Sequence, residues 1–359
     1  MKINVDCRFF RGDRPCEFHK KEGVHCDGCP YYQKIVKRIL IIKLGAMGDV
    51  IRTTPLLPRL KELYPEAEIT WITYTPDVVP SIVDRVLNFE LKNILLLKSS
   101  HFDLLYNLDK DVEACALANL VSADIKKGFR LEMGRCVPID QDSADKWMTG
   151  LFDDLNQANE KSYPQEIFEI CGLQFKGERY LLEVDKESWD IPENHPLIGL
   201  NTGCGDRWPS RLWPSEYWIE LAQRLKEKGL GVLLLGGENE DTKNRRIAQE
   251  SGTTYLGHFP LQKFFTLIDQ CDLIVTAVSM SLHIAIALNK KLVLFNNIFN
   301  HHEFELYGLG EIIEPEVECL GCFKGECPEK CMDLIKPDQV FQTCLRVLNR
   351  SLSERDLSP

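Results

Sequence analysis

Arg38-Ile39-Leu40-Ile41-Ile42-Lys43-Leu44-Gly45-Ala46-Met47-Gly48-Asp49-Val50 is the stretch on which the fold turns. A short β-branched apolar run bounded by glycine reads as a buried strand that opens into a tight loop. Over residues 50–64, Leu56, Leu57, Leu60, Leu63 and Tyr64 then recur at helical spacing, and Pro65 closes that helix. Ile69–Thr73 reads as the next strand, with further strands at Ile94–Leu97 and Asp103–Leu108 and a helix over 111–121. Strand alternating with helix predicts an α/β fold with a parallel, doubly wound sheet.

Between about 177 and 196 the pattern breaks into a polar stretch with Pro192 and Pro196, which reads as a linker. It restarts with a strand at Leu197–Asn201 and the loop Thr202-Gly203-Cys204-Gly205. A helix over 215–228 buries Trp218, Leu221, Ala222 and Leu225. Gly231–Gly237, Thr253–Leu256, Asp272–Thr276 and Lys291–Phe295 complete the strands. The expected divisions are a cysteine-rich segment at 1–37, one α/β domain at 38–180, a second at 181–336, and a final helix and tail at 337–359.

A chain of 359 residues is long for one core, which agrees with two domains. Its net charge of −11 argues against a general nucleic-acid binder, which needs a cationic surface. No apolar run approaches the ~18 residues of a membrane span, and the start lacks a signal-peptide core. A cytoplasmic protein is the expectation. Residues 1–43 nevertheless carry a formal +5, which is either a face for an anionic partner or membrane or simply a solvated segment.

Fourteen cysteines are the anomaly of the composition. Without an export signal, metal ligation is favoured over disulfides. Eight fall into two sets: Cys7, Cys16, Cys26 and Cys29, then Cys319, Cys322, Cys327 and Cys331. Each set is expected to hold a structural zinc ion, since a two-residue spacing lets neighbouring sulfurs converge. His19 or His25 is an alternative ligand to Cys7, and iron–sulfur clusters are the alternative to zinc. The remaining six read as small core residues.

The glycine loop at 45–48 lies where open α/β sheets bind ligands, at the carboxyl end of a strand. Asp49 there is either a helix N-cap or an acid facing the cleft. In the second domain, Arg207 and Arg211 follow the loop at 202–205, as a phosphate clamp or as ordinary exposed arginines. Ser279 and His283 mark a helix start able to receive an anion, although a lone histidine is more often structural. Asp109-Lys110-Asp111 reads as a strand-end loop, without a catalytic metal.

Together these residues make the chain resemble glycosyltransferase family 9, the heptosyltransferases, across roughly 38–345. The resemblance rests on Ile41–Val50 with Thr53-Thr54-Pro55, Ile198-Gly199-Leu200 with Arg211-Leu212-Trp213-Pro214, Gly236-Gly237 with Glu240, and Leu282-His283-Ile284-Ala285. It implies a GT-B fold, two Rossmann-like domains facing across a cleft, with a final helix packed back on the first. It further implies Asp49 as catalytic base, with Gly45, Met47, Gly48 and Thr53 at the acceptor. Thr202, Arg207, Arg211, Glu240, Phe259, Ser279 and His283 would hold an ADP-sugar, Glu240 at the ribose and Phe259 beside the adenine.

The implied activity is inverting, metal-independent transfer of a heptose-type sugar to lipopolysaccharide core or a related surface glycan. A lipid-linked acceptor brings peripheral contact with the inner membrane. One departure stands out: the family's Asp-Ser/Thr-Gly is here Val278-Ser279-Met280. The rival expectation is a GT-B-shaped binding or sensing protein that has lost transfer and is stabilised by its metal clusters.

Overall fold

The computed structural model describes residues 1–350. The first sheet contains β1 (Lys37–Ile42), β2 (Ala67–Thr73), β3 (Arg85–Asn88), β4 (His101–Asn107), β5 (Ser122–Glu132) and β6 (Arg135–Pro138). Their spatial order is β3-β2-β1-β4-β5-β6, parallel except for the final β5–β6 hairpin. That hairpin turns on Met133 and Gly134, both at positive φ, as a two-residue connection requires. The second sheet contains β7 (Leu197–Asn201), β8 (Gly231–Leu235), β9 (Leu273–Ala277), β10 (Lys291–Phe295) and β11 (Gly310–Ile313). It is ordered β11-β10-β9-β7-β8 and parallel throughout. The central strands are buried along their length because helices cover both faces.

Several expectations need correction. Ile94–Leu97 lies in a helix, Leu91–Lys98, with Leu97 inward and Leu95 and Leu96 exposed. A four-residue apolar run fits either structure, and here its length misleads. Thr253–Leu256 provides only an isolated bridge, Thr254 to Leu233. The helix expected over 50–64 is two, Met47–Ile51 and Leu56–Leu63, separated by a turn. The final helix, Pro337–Asn349, packs on the second domain and not the first: Val340, Cys344 and Val347 share a core with Trp218, Leu221 and Leu225.

The linker has no helix or strand from 173 to 194, as its composition predicts. It is nevertheless not a loose tether. Leu181, Leu182, Val184, Trp189 and Ile191 pack on one apolar cluster that runs from Ile39 and Phe168 in the first domain to Leu233 and Ile274 in the second. Polar contacts follow the same seam: Leu181 N donates to Thr54 Oγ1 at 2.8 Å, and Asn300 Nδ2 to the carbonyls of Asn156 and Asn159 at 2.6 Å each.

Candidate active site

Strand order reverses between β1 and β4 in the first sheet and between β7 and β9 in the second. Loops leaving the carboxyl ends at such points make crevices. Here the two sets face each other across a cleft of about 670 Å³.

Lys43 follows β1 and Asp109 follows β4, and the two form a buried ion pair. Asp109 also accepts from the Leu44 amide, so both its oxygens are taken inside the protein. That agrees with a strand-end loop for Asp109-Lys110-Asp111. Burial alone would lower the Lys43 pKa, but Tyr163, Asp109 and Asp49 raise it, and the ammonium stays charged.

Gly45, Met47, Gly48 and Asp49 all line the cleft. Asp49 is not the N-cap; Ala46 holds that place, and Asp49 sits in the first turn. Its carboxylate lies 2.9 Å from Arg52, which also reaches Glu303 of the second domain at 3.5 Å and lies over the Tyr163 ring at 3.6 Å. Burial would raise the Asp49 carboxyl, but Arg52 and Lys43 outweigh it and hold it down at about 2. Gly48 is where the domains touch. A Cβ there would stand 2.6 Å from His283 Cδ2, so any larger residue forces the two walls apart.

Thr53 does not reach the substrate side. It is buried, donates to the Asp49 carbonyl at 2.7 Å, and braces the loop from beneath. Thr202 is likewise buried, donating to Asn244 Oδ1 at 2.6 Å. Both were expected as contact residues, but each hydroxyl is committed to backbone or amide partners.

Arg207 is exposed at the cleft mouth. Arg211 is buried, and its guanidinium donates to the carbonyls of Val278, Cys204 and Trp208. It ties the loops after β7 and β9 together and presents no free fork to a phosphate. His283 is also buried, and burial together with Arg52 lowers its pKa to about 3, so the ring is neutral. Its Nδ1 has no partner in the protein. A second cavity of about 340 Å³ adjoins the cleft through Cys204, Ser279 and Met280. Glu240 and Phe259 line it, Glu240 held by the Gly237 amide at 2.9 Å and Phe259 braced edge-on by Trp189 at 4.9 Å.

All fourteen cysteines are free thiols. Among the described residues, no three His, Cys, Asp or Glu side chains are grouped as a single metal ion requires. Cys327 and Cys331 are close, at 3.9 Å between sulfurs, whereas Cys319 is exposed. Cys7, Cys16, Cys26 and Cys29 line one cavity with His19 and His25.

Sequence reasoning did not find Arg52, Tyr163, Glu303, Lys110 or Lys146, all of which line the cleft. Arg52 was accessible as the i+3 partner of Asp49. Glu303 and Lys146 had no local signal.

Residues 92–333 match the family model of glycosyltransferase family 9 (heptosyltransferase). The chain belongs to that family. It is 24% identical over 296 residues to lipooligosaccharide heptosyltransferase 2 of Haemophilus ducreyi, covering 70% of this chain and 80% of the relative. Among solved structures, the family 9 glycosyltransferase of Veillonella parvula superposes with a TM-score of 0.67 at 19% identity, covering 88% of this chain and 98% of that one. ADP-heptose lipopolysaccharide heptosyltransferase II of E. coli gives 0.64 at 19% identity, with 87% and 98% covered. The fold of this family 9 glycosyltransferase is therefore GT-B. No helix among its described residues is long and apolar enough to cross a membrane.

The Arg52–Asp49 pair makes a pH prediction for the enzyme. With the carboxyl near 2, kcat/KM should show no acid limb down to about pH 4. Arg52→Gln removes the largest influence lowering it while burial still raises it, so an acid limb should appear at higher pH. Two superimposable profiles between pH 4 and 8 would separate Arg52 from the ionisation of Asp49.

Proposed function

We propose that this chain is an inverting, metal-independent heptosyltransferase. It moves a heptose-type sugar from an ADP-sugar to lipopolysaccharide core or a related lipid-linked surface glycan, at the cytoplasmic face of the inner membrane. One observation carries the reading: the cleft has an ionised carboxylate, Asp49, on one wall, and a side cavity lined by Glu240 and Phe259 opens off the other. Asp49 takes the acceptor proton as that oxygen attacks the anomeric carbon opposite the departing nucleotide. One direct displacement inverts the centre. Negative charge developing on ADP meets Arg207 and the free amides at the start of the helix Met280–Ala287. Lys110 and Lys146, partly exposed on the first-domain wall of the cleft, are placed to meet an acidic acceptor.

The deciding experiment is a donor screen on purified protein, read as nucleotide release. ADP-heptose with a core acceptor should release ADP, and UDP-sugars should not react. ADP binding without release from any donor would favour the rival, a binding protein.

That rival rests on Val278 and Met280. Val278 is buried just after β9, its side chain packed in the apolar cluster and its carbonyl accepting from Arg211. Its side chain offers no hydrogen bond to a sugar, a loss typically worth ~0.5–1.5 kcal/mol. Calorimetry should therefore find ADP-heptose bound little better than ADP, and Val278→Asp should widen the difference. A wild-type preference of about a hundredfold (roughly 2.7 kcal/mol) would mean that other residues read the sugar.

A further inference from the structure

Arg52 carries one charge between two carboxylates that belong to different domains. Its Nη2 lies 2.9 Å from Asp49 Oδ1 on the first-domain wall, and its Nη1 donates to Glu303 Oε2 at 3.5 Å on the second. Tyr163 supports the guanidinium at 3.6 Å, and the Arg52 and Glu303 side chains are only 13% and 12% exposed. A guanidinium offered a single carboxylate settles on it as a two-nitrogen fork. Asp49 lies three residues before Arg52 in the same helical turn, within easy reach of that fork. Glu303 takes the second nitrogen instead. The Asp49 side chain keeps 33% of its surface exposed, and a general base needs an open oxygen to receive the acceptor proton.

Glu303 is itself held in place. It ends the 3-10 turn His301–Glu303, which Asn300 caps by accepting from the His302 amide at 3.0 Å. The same Asn300 side chain donates across the seam to Asn156 and Asn159 of the first domain. The carboxylate that restrains Arg52 therefore follows directly on a contact that seats one domain on the other.

We propose that Glu303 is a positioning residue that keeps Arg52 from masking the base. Resting on Asp49 as that base, the arrangement makes proton removal depend on the second domain being seated. With Glu303 withdrawn, Arg52 turns wholly to Asp49 and closes the carboxylate to the acceptor.

Glu303→Gln keeps the size of the side chain and removes its charge. With ADP-heptose and a lipopolysaccharide core acceptor it should lower kcat about tenfold, with donor KM and ADP affinity within about twofold of wild type. Glu303→Asp should recover part of the loss. In Arg52→Gln, which has no cation to restrain, Glu303→Gln should change nothing further. The pH profile adds a readout that a merely structural loss would not move. Asp49 also faces Lys43, Lys146 and the neutral His283, and Arg52 faces Tyr163 and Tyr180; the substitution changes none of them. Freed from Glu303, Arg52 holds Asp49 more firmly ionised, so Glu303→Gln should give a lower plateau without an acid limb, whereas Arg52→Gln should give the limb. Wild-type kcat in Glu303→Gln overturns the proposal, as does an equal loss in the Arg52→Gln background. Asp49→Asn assayed alongside separates the two failures: near-normal turnover there removes the base itself, whereas a Glu303 effect that ignores Arg52 removes only the coupling. A wild type that releases ADP from no donor removes transfer, and the coupling with it.

Discussion

Asp49→Asn should lower turnover by about 10²-fold or more while leaving ADP affinity nearly unchanged. Asn keeps the shape and can still face Arg52, but it accepts no proton. The side cavity of Glu240 and Phe259, the proposed nucleoside site, does not include residue 49. A carboxylate held near 2 is a weak base at rest. As the proposed base it would take the proton late, after the acceptor oxygen has begun bonding to carbon and has become more acidic. Steady-state turnover alongside ADP calorimetry tests both halves. Near-normal turnover would reduce Asp49 to a partner of Arg52 and remove the proposed base.

Lys43→Met should be the most damaging single change to stability. Lys43 and Asp109 are each about 5% exposed or less, and the variant leaves the carboxylate in the interior without its cation. Losing one partner of a buried pair typically costs ~3–5 kcal/mol. For a two-domain chain that lowers the melting temperature by about 10 °C or more. Lys43→Met combined with Asp109→Leu should recover part of the loss, because the stranded charge is then gone. Full recovery is not expected, since the Leu44 amide would still lack its acceptor. A melting temperature unchanged in Lys43→Met would show that the pair contributes nothing to the fold.

Much of this arrangement was legible in the chain. The run at 38–44 is rich in isoleucine and that at 197–201 is mostly apolar, without polar alternation, so burial on both faces marks them as central strands. Gly48 and Asp49 follow the first of these runs and Glu240 follows β8, and the structure places all three on the cleft or its side cavity. What failed was of two kinds. Short apolar runs such as Ile94–Leu97 fit helix or strand equally well, and only packing decides. Side chains whose partners are remote in sequence were invisible or misassigned. Arg211 looks like a phosphate ligand until the carbonyls of Cys204 and Val278 are found against it. Glu303 has no meaning until the second domain brings it to Arg52.

The apolar seam through the linker has a consequence for motion. A two-domain protein on a bare tether opens by swinging, at little cost beyond lost polar contacts. Here a swing would draw Leu181, Leu182 and Trp189 away from their neighbours and wet them, at roughly 25 cal/mol for each Å² exposed. Sliding of one wall along the other keeps that surface dry, which makes shear the cheap coordinate. Gly48 lies against His283 on that sliding plane. A displacement small enough to leave the seam intact therefore changes the distance between Asp49 and the side cavity of Glu240 directly, with no lever arm between them.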